Sequence, residues 1–150
     1  MNLLSRRSVL AIAAVVDVAL HSRSAPVAAK SLAGRHRLPP RHLETVLQGL
    51  VRAKILEGLR GPRGGYKLAR ERRRITVGEI VRTAMSLSTV EPEDLGANSI
   101  LLQRVIDPAV REAGETFLAN LDSITVEQMC ETAEKAHVLD NEKAAGDFTP

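Results

Sequence analysis

A mainly α-helical fold with one small β-hairpin is what the sequence predicts, on three observations. Apolar residues recur every three to four positions over most of the chain, and strand-like punctuation is confined to the glycine-rich stretch 55–69. Thr76–Glu79 and Thr125–Gln128 have the spacing of reciprocal helix caps. With 150 residues, 44% hydrophobic and 26% charged, the chain has the composition of a single globular domain with a modest core.

The first helix is expected from about Leu4 to His21, with Val9, Ile12, Ala13, Val16 and Leu20 on one stripe. Arg6 and Arg7 followed by the apolar run Val9 to Val16 imitate a twin-arginine export signal, but Asp17 interrupts it. No other stretch approaches the ~20 apolar residues of a membrane span, so a cytoplasmic protein without membrane contact is expected. Small polar residues and Pro26 end the helix. A short helix over 28–35 follows, with Leu32 and Ala33 inward, then a turn at 34–38 and a longer helix from Pro40 to Lys54. Proline is tolerated in that first turn because its missing N–H has no intrahelical partner there. Leu43, Val46, Leu47, Leu50 and Val51 form the buried face. Two helices joined by a tight turn make a helix-turn-helix candidate.

Residues 55–60 and 65–69 read as two strands around Gly61-Pro62-Arg63-Gly64, a wing that carries Arg60, Arg63, Lys67 and Arg70. Thr76 then opens a helix through Ile80, Val81, Ala84 and Met85. Residues 88–98 are acidic and lack apolar periodicity, which reads as a linker between a winged helix-turn-helix unit at 1–87 and helices at 99–137. In the latter, Leu101, Leu102, Val105, Ile106, Ala109, Val110, Ala113, Phe117 and Leu121 form a stripe longer than one small domain needs, so a partner must cover it. Pro108 is expected to kink that helix or split it with Asp107 as the new cap. A terminal helix should run from Thr125 to about His137, ahead of a polar tail at 138–150 expected to be disordered.

Charge separates the two halves. Residues 1–87 hold 17 Lys or Arg against 5 Asp or Glu, a balance of +12, and residues 88–150 hold 4 against 13, a balance of −9. The first half suits an anionic polymer. With no Trp, one Tyr and two Phe, stacking platforms for single strands are hard to build, which favours a duplex. A major groove about 12 Å wide accepts one helix. Arg41, His42, Thr45 and Gln48 lie opposite the apolar face of the second helix of the motif and are the expected base readers. Lys30, with Arg35 and Arg37, is assigned to phosphates, as are Arg60 and Lys67 on the wing. Arg63 at the narrow tip is expected to enter a minor groove. The run Arg70 to Arg74 reads as a solvated turn within reach of phosphate.

Other chemistry finds little support. One cysteine, Cys130, excludes a disulfide framework and multi-thiolate zinc, and its neighbours Val126 and Met129 make it a buried apolar residue. His21, His36, His42 and His137 lack metal-ligand spacing, and Asp17, Glu44 and Asp107 join no catalytic constellation. No catalytic residue, no metal site and no enzyme activity are expected.

The segment Arg60-Gly61-Pro62-Arg63-Gly64-Gly65-Tyr66-Lys67-Leu68-Ala69-Arg70, followed by Ile75-Thr76-Val77-Gly78-Glu79-Ile80-Val81-Arg82, resembles the Rrf2 family of bacterial transcription regulators. The likeness extends back through Arg41-His42-Leu43-Glu44, where the family often has an aromatic residue at position 42, and on through Leu121-Asp122-Ser123-Ile124-Thr125. It implies a winged-helix homodimer that binds double-stranded operators with dyad symmetry through crossed long helices. Leu102, Val105, Ile106, Val110, Phe117 and Leu121 would then be its dimerisation residues. Many members hold an iron–sulfur cluster on three cysteines after the wing domain, yet residues 86–100 contain none, so no cofactor is expected. The resulting expectation is a transcriptional repressor with an unidentified effector. The alternatives are a redox or iron–sulfur sensor using Cys130, or an interaction module docking on an enzyme.

Overall fold

The computed structural model describes residues 3–88, 96 and 98–139. Most of the expected linker and the tail from residue 140 onward lie outside these. Helix α1 (Arg6–His21) starts two residues later than expected, because the Ser5 hydroxyl accepts from the Ser8 N–H and so caps it. Small residues at Ala11, Ala14 and Ala19 let α1 sit at the centre of the molecule, against the later helices and the hairpin.

Helix α2 (Ala29–Arg35) buries Leu32 and Ala33. It ends where Arg37 takes a left-handed conformation, φ 52°, and the Leu38 N–H reaches back to the Ala33 carbonyl at 2.9 Å. Helix α3 (Pro40–Arg52) turns Leu43, Val46, Leu47 and Leu50 into the core. It closes in the same way: Lys54, expected to be its last residue, is instead the left-handed terminator at φ 57°, with the Ile55 N–H on the Leu50 carbonyl.

Strands β1 (Leu56–Leu59) and β2 (Gly65–Leu68) pair antiparallel, with Glu57 opposite Lys67 and Gly58 opposite Tyr66. Gly61, φ 109°, supplies the turn that a side chain would resist. The wing is also hooked to the segment before α2, since Val27 and Tyr66 exchange two backbone hydrogen bonds of 2.8 Å. Gly65 is required at this crossing because a Cβ there would strike the Val27 carbonyl.

Helix α4 (Val77–Ser86) opens with the expected reciprocal cap between Thr76 and Glu79. Residues 100 to 122 are helical without a break. The expected kink or new start at Pro108 is replaced by a π-helical turn, Leu102–Ile106, that leads into α5 (Asp107–Asp122). The Asp107 N–H donates to the Leu102 carbonyl five residues back, and Asp107 lies inside the helix at φ −59° rather than capping it. The wider turn accommodates the residue that cannot donate.

Helix α6 (Val126–Lys135) has the second expected cap, Thr125 with Gln128. The sequence grouped this helix with the dimerisation segment, but within the chain it returns to the first half. Val77 N–H donates to the Ile124 carbonyl and Val126 N–H to the Ile75 carbonyl, and Val126 and Cys130 complete one core with α1, α2, α3 and α4.

Candidate nucleic-acid interface

Helix α3 divides into two faces because its apolar residues repeat at helical spacing. Arg41, His42, Thr45 and Gln48 are all exposed, opposite Leu43, Leu47 and Leu50, each 0% exposed. Arg41, Thr45, Gln48 and Arg52 follow one another at four, three and four residues and form a continuous polar stripe. Arg52 was missing from the expected readers, although this spacing identifies it.

Five of the eight predicted residues border two clefts along α3. Arg41, His42 and Thr45 border a cleft shared with Arg6, Arg7 and His36. Gln48 and Arg60 border a second one between α3 and the wing, together with Arg52 and the glycines of the hairpin. Arg63 is exposed at the wing tip, and Lys30 is exposed on α2. Lys67 is half-buried on β2, where its ammonium lies 3.4 Å from the Glu57 carboxylate across the hairpin. Arg6 and Arg7 were masked in sequence by their likeness to an export signal; in the fold the start of α1 places them beside the start of α3.

Several of the basic residues expected near phosphate are paired with acids of their own chain. Asp17 is 4% exposed. Arg35 Nε donates to its Oδ2 at 2.9 Å and Nη2 to its Oδ1 at 2.5 Å. His36 Nε2 lies 2.9 Å from Oδ2, and His21 Nδ1 lies 3.1 Å from Oδ1. Burial pushes the Asp17 carboxyl up, but hydrogen bonds from Arg35 and His36 and the charges of Arg35 and His21 bring it down to about 2. Arg70 donates to the Lys54 and Arg74 carbonyls and to Glu79, Arg72 donates to Glu127, and Arg73 to Glu71. Arg70 and Arg72 thus link this run to α4 and α6.

The expected dimerisation residues lie along the helical segment 100–122. Val105, Ile106 and Val110 are 58%, 40% and 65% exposed, and Ile100 and Leu101 are 70% and 61%. Leu102, Phe117 and Leu121 are half-buried against their own chain. Asp122, at the far end of α5, accepts two hydrogen bonds from Arg82, at 2.6 and 2.8 Å. Gly78 permits this approach, since a Cβ there would overlap the Asp122 carboxylate. The pair ties α5 to α4.

Comparison with known proteins matches this arrangement. The family model described as Rrf2, iron-dependent transcriptional regulator, matches residues 4–132. The HTH-type transcriptional regulator IscR of Xenorhabdus nematophila is 30% identical over 142 residues, spanning 93% of this chain and 86% of its own. Among solved structures, T. potens IscR superposes with a TM-score of 0.69 at 32% identity over 89% of each chain. CymR, the global cysteine regulator of B. subtilis, superposes with a TM-score of 0.62 at 28% identity, over 88% of this chain and 98% of that one.

The iron in the family description calls for a donor set, and the residues present do not fit an iron–sulfur cluster. Such clusters are held mainly by several thiolates. Cys130 is the single cysteine, 0% exposed. Burial pushes its thiol up, outweighing the pull of the Arg72 charge. Among the described residues, no group of three His, Cys, Asp or Glu is placed to hold a metal ion. Among them, too, no helix is long and apolar enough to cross a membrane. The match over residues 4–132, the α2–turn–α3 unit and its hooked wing together place the chain in the Rrf2 family of helix-turn-helix transcriptional regulators.

Proposed function

We propose that the protein is a cytoplasmic, sequence-specific repressor that binds double-stranded operators of dyad symmetry as a homodimer, without an iron–sulfur cluster. The observation that carries this reading is the exposed stripe Arg41, Thr45, Gln48 and Arg52 on a helix whose Leu43, Val46, Leu47 and Leu50 are buried in the core. A rigid helix with a polar outer face can enter the major groove. A guanidinium or an amide there makes paired hydrogen bonds to base edges. Arg63 at the hairpin tip suits a narrow minor groove, where the negative potential is strongest. Lys30, Arg6 and Arg60 flank these readers and supply phosphate contacts that fix register rather than sequence. The exposed Val105, Ile106 and Val110 give a second subunit an apolar seam to cover.

Titrating a palindromic promoter fragment at increasing salt tests the proposal. Several phosphate contacts require affinity to fall steeply and linearly on a log–log plot, and an affinity indifferent to salt would refute the groove assignment. Iron and acid-labile sulfide analysis of protein purified without oxygen tests the clusterless state, for which both should be absent.

A further inference from the structure

The cleft between α1 and α3 has two chemistries in one place. Its mouth carries Arg6, Arg41, His42 and Thr45, and its floor is formed by Val9, Leu10, Ala13, Leu38 and Val46. Most basic side chains near the core are already matched with acids: Arg35 with Asp17, Arg70 with Glu79, Arg72 with Glu127 and Arg82 with Asp122. Among the described residues, Arg6 and Arg41 form no ion pair, so two guanidinium groups face this opening without an internal counter-charge. A duplex backbone would satisfy those charges. It offers nothing to the half-buried side chains of Val9, Leu10 and Leu38, which remain partly wetted. The volume, about 750 Å³, falls within the range of small-molecule sites.

We propose that this cleft is a ligand site for a small carboxylate with an apolar body, the carboxylate at Arg41 and Arg6 and the body on the floor of α1. A bidentate guanidinium contact suits a planar carboxylate, and covering apolar side chains adds affinity in proportion to the area removed from water. Because Arg41, His42 and Thr45 border the same opening, an occupied cleft withdraws them from the operator. This last consequence rests on α3 being the recognition helix; binding itself does not.

The test uses the full chain free of DNA, with hexanoate as the probe and hexanamide and inorganic phosphate as comparisons. Methyl resonances of Val9, Leu10 and Leu38 should shift saturably with hexanoate. The dissociation constant should rise at least tenfold in Arg41→Gln. It should also rise in Ala13→Leu, which fills the floor and leaves every charge in place. Thermal unfolding checks that both variants fold. Equal saturation by hexanamide would overturn the site as mere apolar adsorption, and shifts with phosphate alone would reduce it to an anion patch. No saturable shift with hexanoate would overturn it outright. Operator competition follows as a separate measurement: hexanoate that saturates the cleft without weakening DNA binding would leave the ligand site standing and sink the groove assignment of α3.

Discussion

Arg35 grips the Asp17 carboxylate with two hydrogen bonds, at 2.9 and 2.5 Å, and so fastens the end of α2 to the second half of α1. The turn that leads into α3 begins at the next residue, His36, which lies on the same carboxylate. The entry into α3 therefore depends on one buried acid. Asp17→Asn should destabilise the fold by about 2–3 kcal/mol, because a buried pair that loses one partner leaves the other charge poorly matched.

That acid also sets a pH dependence. Its carboxyl titrates at about 2 in the folded protein and near 3.8 in the unfolded chain. Between those values the unfolded state binds more protons, so stability rises with pH across this window. The contribution, about 2 kcal/mol, is complete above pH ~4 and lost as pH falls through ~2. Urea unfolding from pH 2 to 5 should show the slope, and Asp17→Asn should flatten it.

On the wing, Arg63→Ala should lower operator affinity by about 1–3 kcal/mol, whereas Lys67→Ala should cost less, since Glu57 already neutralises that ammonium. Gln48→Ala should relax base preference with a smaller loss of total affinity. Binding to a library of operator variants separates the two effects. Equal losses for Arg63→Ala and Lys67→Ala would show that tip position is immaterial.

Val110→Glu places a charge at a site 65% exposed in the single chain, on the proposed seam. The isolated fold should tolerate it, and sedimentation analysis should show a monomer with intact helical content. A dimer that persists in Val110→Glu and Val105→Asp alike would mean that the seam lies elsewhere.

Cys130 packs beside Val126 on α6 with no exposed surface. Its thiol should resist a charged aromatic disulfide reagent in the native protein and react at once in denaturant. Cys130→Ser should cost about 1–3 kcal/mol, because a hydroxyl at that position must be desolvated.

Much of the architecture was legible because local rules and packing agree. Both reciprocal caps stand at the predicted positions, and the apolar face of α3 follows its 3.6-residue period. What periodicity could not show was where long side chains spend their charge. Arg35 and Arg70 look like any other basic residue in the sequence, and only three-dimensional proximity shows that Asp17 and Glu79 pair with them. Arg52 could have been found by extending the reader stripe one more turn. The π-turn before Pro108 was hidden for a different reason: proline signals a disruption, but not which hydrogen-bonding pattern absorbs it. Likewise, nothing in the alternation around Val27 signals a partner on the wing, because a single bridge leaves no repeat to detect.

Helix α5 is held firmly at its last turn. Its last turn is clamped to α4 through Asp122 and is followed at once by α6, which is rooted in the core. The π-turn lies towards the opposite end of a helical segment about 34 Å long. Such length magnifies angle into distance. A tilt of roughly 10° at the clamp would carry the far end about 6 Å, so a small change in the angle set by Arg82 and Asp122 becomes a large displacement of the exposed Ile100 and Leu101.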